Sequence, residues 1–373
     1  MTAGSSGTLR QATLEDGPAA SELVRSLALA NPESRDAIDA HWKRLWVDNP
    51  AMTGDGPKPP LGWVLEKKGR MVGFFCNVPR LYYFGTRRVI VSVASQWGLD
   101  KSHRRKIHQL AGAYFEQDNA DILMATTANT SAGRIFRHYG AWPIPQPDYD
   151  WALYWIVDGA GFIAAGLKRK GLPSPLGAIL SALAGPLFGA VQSRPKGNAE
   201  AVDDMAIGEI DGAFDELWRA KQDEADRLLA CRSADSLRWH FGDGDNGKGA
   251  RVLAHRRDGR LRGYGVVMRE DAADIGLKRL RIVDLFVEND DPAVVDDVLA
   301  AAHRMARAQG CHVLEWVGMP TNLRTLALAH HPRTRALPTW PLYFKAADGE
   351  LATALQVADA WYVTAYDGDT TLA

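Results

Sequence analysis

Apolar and polar positions along this chain fall into two alternating periods. Leu9 to Thr13 reads as a short strand, and Leu14-Glu15-Asp16 leads into a helix in which Ala19, Leu23 and Leu27 recur at helical spacing. Pro18 suits the first turn of that helix. A second helical stretch carries Trp42, Leu45 and Trp46 and stops near Asn49-Pro50. After the Gly/Pro-rich loop from Ala51 to Pro60 the pattern becomes that of a sheet. Strands are expected at Trp63–Glu66, Met71–Phe84 and about Val89–Leu99, with turns at Lys68-Gly69-Arg70 and Gly85-Thr86-Arg87. Next come a helix (about His103 to Phe115), a strand (Ile122 to Thr127), a helix (about Ser131 to Tyr139, ended by Gly140) and a last strand around Trp151 to Ile156. An antiparallel meander followed by β-α-β-α predicts an α/β (α+β) fold, a mixed sheet flanked by helices.

The same order returns in the second half. Helices are expected at about Ala213–Leu229 and Ser233–Phe241, and strands near Arg251–Ala254, Leu261–Met268 and Arg281–Val287. The best-marked helix is Pro292–Ala308, with Asp291 as N-cap and Gly310 beyond its end; a strand from His312 to Val317 follows. Four landmarks keep their order across the halves: Gly69-Arg70 with Gly259-Arg260, Gly73 with Gly263, Ile90-Val91 with Ile282-Val283, and Asn129 with Asn322. The reading is a duplication, with one domain over 8–157, a second over 206–366 and a linker over 158–205.

At 373 residues the chain has room for two domains, and 46% hydrophobic with 24% charged residues is ordinary globular composition. A net charge of −1 gives no support for nucleic-acid binding. Cys76, Cys231 and Cys311 form no disulfide or zinc pattern, and Met1 to Gly7 lacks a signal-peptide pattern, so a cytoplasmic location is expected. Between Lys170 and Arg194 lie 23 uncharged residues flanked by basic ones. Leu176, Ile179, Leu180, Leu183, Leu187, Phe188 and Val191 make a helical stripe there, which favours a packed inter-domain helix over membrane contact through 172–192 at an inner membrane face, and over a span.

The first half resembles the GNAT (Gcn5-related N-acetyltransferase) superfamily. Its opening Arg10-x-Ala-Thr-x-x-Asp16 is similar to that fold's first strand and helix start. Asn129-x-x-Ala132-x-x-x-Phe136-x-x-x-Gly140 has the spacing of the family's Asn…Ala…Tyr…Gly helix motif. Trp97-Gly-Leu-Asp100-Lys-Ser-His-Arg104-Arg105-Lys106-Ile107 stands where the family places its acyl-CoA pyrophosphate loop. The resemblance implies acetyl-CoA or another acyl-CoA as substrate, no metal, and acyl transfer, with acetyl expected, to an amino group of a small molecule or amino sugar. Similar tandem proteins are associated with bacterial polysaccharide or envelope biosynthesis.

The chemistry of that loop follows from its composition. A helix N-terminus offers unpaired N–H groups and a positive dipole end, which suits a pyrophosphate. Leu99, Arg104, Arg105, Lys106, Ile107 and His108 are the candidate contacts, with Asn129 for the pantetheine arm or as a helix N-cap. Two departures from the family bear on catalysis. Ile107 and Gln109 stand where glycines would let the backbone approach phosphate, and Phe136 replaces a Tyr that would protonate the leaving thiolate. Glu66, Asp100 and Tyr139 are the candidate acid or base groups, with His138 and Cys76 nearby; Ser92, Ser95 and Gln96 could line the strand facing the acyl chain.

The second copy starts its helix with Glu288, Asp290 and Asp291, and Asp296 and Asp297 follow a turn later. Such carboxylates would repel a pyrophosphate, so this domain is expected to bind no CoA; its acidic face could attract an amino-bearing acceptor. Gly242-Asp-Gly-Asp-Asn-Gly247 looks like a calcium loop but lacks the twelfth-position Glu. Two other functions compete with an acyltransferase: a non-catalytic CoA-binding or partner-binding protein on a degenerate GNAT scaffold, and a Fem-type aminoacyl transferase.

Overall fold

The computed structural model describes residues 7–29, 31–53, 58–171, 193–242, 249–337 and 341–372. The apolar segment 172–192 and most of the glycine-rich loop after Gly242 lie outside these residues. No helix among the described residues is long and apolar enough to cross a membrane.

The first half contributes β1 (Thr8–Gln11), β2 (Gly62–Lys67), β3 (Arg70–Phe84), β4 (Arg87–Leu99), β5 (Ile122–Ala125), β6 (Trp142–Pro143) and β7 (Trp151–Ile156). The second contributes β8 (Val202–Ala206), β9 (Leu228–Ala230), β10 (Arg251–Arg257), β11 (Arg260–Arg269), β12 (Arg279–Val287), β13 (Val313–Trp316), β14 (Arg333–Ala336), β15 (Tyr343–Ala346) and β16 (Trp361–Tyr362). Among the described residues they form two mixed sheets. One runs β1-β2-β3-β4-β5-β15-β6, with β9 paired to the far end of β3 and β16 to β9; the other runs β14-β7-β13-β12-β11-β10-β8. The expected α/β class, two mixed sheets flanked by helices, is what the chain adopts.

The sheets do not follow the halves of the chain. Trp151–Ile156 is a strand as expected, but it pairs with β13 of the second sheet, Leu314 opposite Trp155. In return β15 lies between β5 and β6 of the first, Phe344 opposite Met124. The unit 8–157 thus lends β7 to the second sheet, and the unit 206–366 lends β9, β15 and β16 to the first. The 158–205 stretch holds the helix Gly159–Arg169 and the first residues of β8. Four of the six residues of β7 are buried, so its pattern marks an interior strand without specifying its neighbours.

Adjacent residues of β3 face opposite sides of the first sheet. Phe74 meets Trp42 edge-on at 5.6 Å, under α1 (Gly17–Ser26) and α2 (Arg35–Trp46). Phe75 stacks on Tyr114 at 4.6 Å, under α3 (Ile107–Phe115) and α4 (Thr130–His138). The expected α-helix from His103 begins instead as a 3-10 segment, Lys101–Lys106, and becomes α-helical at Ile107. Four basic side chains, His103 to Lys106, crowd that segment against the positive end of a helix dipole.

Two of the four repeat landmarks are structural equivalents. Lys68-Gly69 and Asp258-Gly259 both have positive φ (51° and 73°, 53° and 71°), as a two-residue type I′ hairpin requires. Gly73 and Gly263 pair with the last residues of β4 and β12, Leu99 and Val287. A Cβ on Gly73 would lie 3.0 Å from Leu110 of α3, and one on Gly263 2.8 Å from Val294 of the helix Pro292–Ala308, so both glycines let a helix sit close. The other two are not equivalent. Val91 pairs with the first residue of β5 and Arg279 with the first of β13, so Val91 matches Arg279 and not Val283. Asn129 caps α4, whereas Asn322 is the second residue of the helix Thr321–Leu328, whose cap is Pro320.

Candidate functional site

The parallel pair β4 and β5 is in register from Val91/Ile122 to Ala94/Ala125 and then parts, because β5 ends while β4 continues to Leu99. The result is a fork at the C-terminal end of parallel strands. At its base β4 carries a bulge: Cys76 pairs with Ser95 and Phe75 with Trp97, leaving Gln96 unpaired at φ 38°. The bulge sends Ser95 and Trp97 to opposite faces of the sheet, Ser95 to the Cys76 side and Trp97 to the Phe75 side.

On the α3/α4 face, Trp97 stacks on Phe136 of α4 at 5.6 Å and lies tilted against Phe75 at 4.9 Å. Its ring lies between β4 and the helix that follows β5, and its indole N–H is buried without a partner. Beyond Leu99, Asp100 pairs with Arg70, and the basic 3-10 segment leads into α3. Arg104 and Arg105 are exposed, and among the described residues neither side chain has an ion pair or hydrogen bond. Lys106 is half-buried beside the Gly7 backbone. Tyr139 at the end of α4 stacks on Phe115 and donates its hydroxyl to the His108 carbonyl at 2.9 Å. Burial raises the phenol above its ordinary value, and its proton is already committed. Ile107 and His108 therefore start α3 under a clamp from α4.

On the other face the fork is met by the C-terminal segment. Asp369 accepts a hydrogen bond from Thr126 Oγ1 at 2.8 Å, and the Ser95 hydroxyl faces the same carboxylate. Ser95 and Thr126 are the first residues of β4 and β5 past their last pair, so this half-buried carboxylate sits between the two strands as they separate. Buried Arg80 of β3 holds the segment by donating to the carbonyls of Gly368 (2.8 Å) and Tyr366 (3.3 Å), and Arg44 of α2 reaches Leu372 O. Gly368 has φ 81°, and a Cβ there would collide with Thr126. Asn31, between α1 and α2, donates to the Gln96 side chain at 3.1 Å, so that connection borders the bulge on the same side.

The structure thus gathers Leu99, Asp100, Arg104, Arg105, Ile107, His108 and Tyr139 around one end of the fork. Asn129 Oδ1 accepts from the N–H groups of Ser131 and Ala132 at 3.0 and 2.9 Å, the helix-capping role. Glu66 stands apart, two strands from β4. Arg10 binds it at 2.5 Å and also pairs with Asp16 at 2.7 Å, which holds the Asp16 carboxyl below its usual value despite burial. Cys76 is fully buried and its thiol is pushed up by burial. Sequence reasoning missed Asp369, Arg80 and the role of Trp97. The duplicated pattern ends at 366, and Asp367-Gly-Asp369 by itself reads as a polar turn.

The equivalent places in the second sheet are filled from within. Asp290, at the start of the Pro292–Ala308 helix, is bound by Lys221 Nζ at 2.6 Å, Arg227 at 3.0 Å and Asn322. Glu288 pairs with Arg260 and Arg262, Asp291 with Arg257, Asp296 with His330 and Asp297 with His255. Glu288, Asp290 and Asp291 of the expected acidic face are thus each matched by a lysine or arginine of the same domain, while Asp296 and Asp297 are hydrogen-bonded to histidines. At the bulge of β12 the fully buried Arg232 binds Asp284 at 3.0 Å and Asp367 at 3.2 Å, with Thr364 closing the cluster. Residues 364–369 thus run from the bulge of β12 to the fork of β4 and β5.

No family model matches the chain, and no curated protein is similar to it in sequence. Solved structures are similar in fold. A GCN5-related N-acetyltransferase from Anabaena variabilis superposes with TM-score 0.55 at 12% identity, over 92% of this chain and 73% of its own. A probable N-acyltransferase from Enterococcus faecalis gives 0.58 at 9% identity, over 92% and 73%. Eis1 from Mycobacterium abscessus gives 0.52 at 13% identity, over 94% and 76%. At such identities the likeness is one of fold.

Proposed function

We propose that this chain is an acyl-CoA-dependent N-acyltransferase that binds its acyl donor at the fork of β4 and β5. One observation carries the reading. The fork opens at one end onto two unpaired arginines at a helix start, and its base presents the bulged strand edge around Gln96. In the donor complex Arg104 and Arg105 hold the pyrophosphate. The pantetheine arm then runs along the α3/α4 face, and the thioester reaches the bulge. The amine arrives from the opposite face, past the α1–α2 connection. Phe136 cannot protonate the departing sulfur, so the leaving thiolate takes its proton from the nascent ammonium or from water.

Resemblance to solved N-acetyltransferases supports an amine as acceptor; the small-molecule acceptor and acetyl as the acyl group are part of the proposal. A second reading, a non-catalytic scaffold, draws on Trp97, whose ring lies against Phe136 where the pantetheine arm would pass. Titration calorimetry with acetyl-CoA separates the two. Micromolar binding, weakened by Arg104→Ala with Arg105→Ala, supports the transferase; no heat with acetyl-CoA or longer acyl-CoAs leaves the scaffold.

A further inference from the structure

We infer that Asp369, delivered by the C-terminal segment rather than by either sheet, is the general base that deprotonates the acceptor amine. The inference rests on the transferase reading. It starts from placement. The residues that touch this carboxylate, Thr126 and Ser95, stand where β4 and β5 part, one position beyond their last pair. Trp97 and the donor path are on the other face of the same bulge. A thioester at the bulge and an amine entering from the α1/α2 side therefore meet beside Asp369.

The segment is built to hold that position. Arg80 fixes the carbonyls of Tyr366 and Gly368, and Arg232 fixes Asp367, so the residues leading to Asp369 are tied down by two buried guanidinium groups. Of the sequence-derived candidates, Glu66 is spent on Arg10, Asp100 on Arg70, and the Tyr139 hydroxyl on the His108 carbonyl. Ser95 and Thr126 contact Asp369, and Arg80 and Cys76 lie on the same face of the sheet. Burial holds its carboxyl above the ordinary value, against the two hydroxyl hydrogen bonds and the Arg80 charge, which makes it a stronger base than a solvated aspartate.

The step balances. The Asp369 carboxylate takes one proton from the acceptor ammonium. The neutral amine forms a C–N bond to the thioester carbonyl carbon, and the C–S bond breaks. The second nitrogen proton goes to the sulfur, giving amide and CoA thiol, and Asp369 returns its proton to water.

The test compares two acceptors on the full chain at saturating acetyl-CoA and neutral pH: benzylamine, present as ammonium, and hydroxylamine, already neutral. Asp369→Asn keeps the Thr126 contact and should retain the wild-type urea midpoint and acetyl-CoA affinity. Expected is a loss of about a hundredfold in benzylamine acylation, transfer to hydroxylamine within about twofold of wild type, and partial recovery of benzylamine transfer in Asp369→Glu. Loss of both transfers, or of neither, overturns the assignment. Wild type that binds acetyl-CoA but acylates neither amine also overturns it, while donor binding stands. Wild type that binds no acetyl-CoA overturns the transferase reading beneath it.

Discussion

Asp367 and Asp369, separated by a single glycine, serve different sheets: Asp367 Oδ2 accepts from Arg232 at 3.2 Å in the second, and Asp369 Oδ1 accepts from Thr126 at 2.8 Å in the first. The first contact is an anchor. Arg232 is buried together with Asp284 and Asp367, so removing the cation strands two carboxylates away from water. Arg232→Met is expected to lower stability by about 3–5 kcal/mol in urea unfolding. Asp284→Asn, which keeps the shape and leaves one carboxylate to the arginine, should cost less.

Gly368 couples that anchor to the fork. Its φ of 81° and its packing on Thr126 leave no room for a side chain. Gly368→Ala should cost about 1–3 kcal/mol in urea unfolding. In the same variant, acetyl transfer at saturating acetyl-CoA should fall severalfold while acetyl-CoA affinity is retained, because the lesion lies on the acceptor side.

At the other end of the fork, Arg104 and Arg105 are exposed, and the proposed donor complex pairs them with the pyrophosphate. Each charge-assisted contact is worth about 1.5–3 kcal/mol. Arg104→Ala and Arg105→Ala should each weaken acetyl-CoA binding about tenfold or more in calorimetry, and the wild-type affinity should fall as salt is raised. Stability should be unchanged, since neither side chain has a protein partner among the described residues.

Trp97 must leave Phe136 for a pantetheine arm to pass. Binding of acetyl-CoA should therefore change tryptophan fluorescence, and Trp97→Phe should abolish that change. Trp97→Ala removes the ring to be displaced and should accelerate association in stopped flow. A fluorescence change that survives Trp97→Phe would place the donor elsewhere.

Acid should destabilise the fold through buried imidazoles. Burial, with Arg44 nearby, lowers His41 to about 4, and burial with Arg194 and Arg307 does the same to His303. The unfolded chain takes up these protons near the ordinary 6.5, the folded chain only near 4. Between those values the unfolded state binds more protons, so this contribution is complete above about 6.5 and is lost as pH falls towards 4. Urea midpoints should drop between about pH 7 and about pH 5, and His41→Phe should flatten the drop.

Local signals placed most elements. The Asp291-Pro292 start and Gly310 stop bound their helix correctly, and the Lys68-Gly69 and Asp258-Gly259 turns set their hairpins because two positive φ angles are legible in residue type. Strand partners were not legible. Trp151–Ile156 reads identically whether its neighbour is β5 or β13, because alternation records burial and not identity. The proposed donor end of the site was visible as a basic cluster after a strand. The acceptor end was not, because Asp369 reaches Thr126 only through a contact spanning most of the chain, and no short-range pattern encodes that.

The exchange of β7 and β15 also orders events during synthesis. When β5 leaves the ribosome its partner β15 has not been made, and β7 must wait for β13, so neither sheet can close as its own half emerges. The nascent first half would show open strand edges, a hazard for pairing with another chain. Productive folding is tied to completion of the second half, and so to arrival of the segment that carries Asp369. A polypeptide stalled or clipped before β15 would lack both that sheet strand and Asp369, so only a chain that has passed through its second half can assemble the fork.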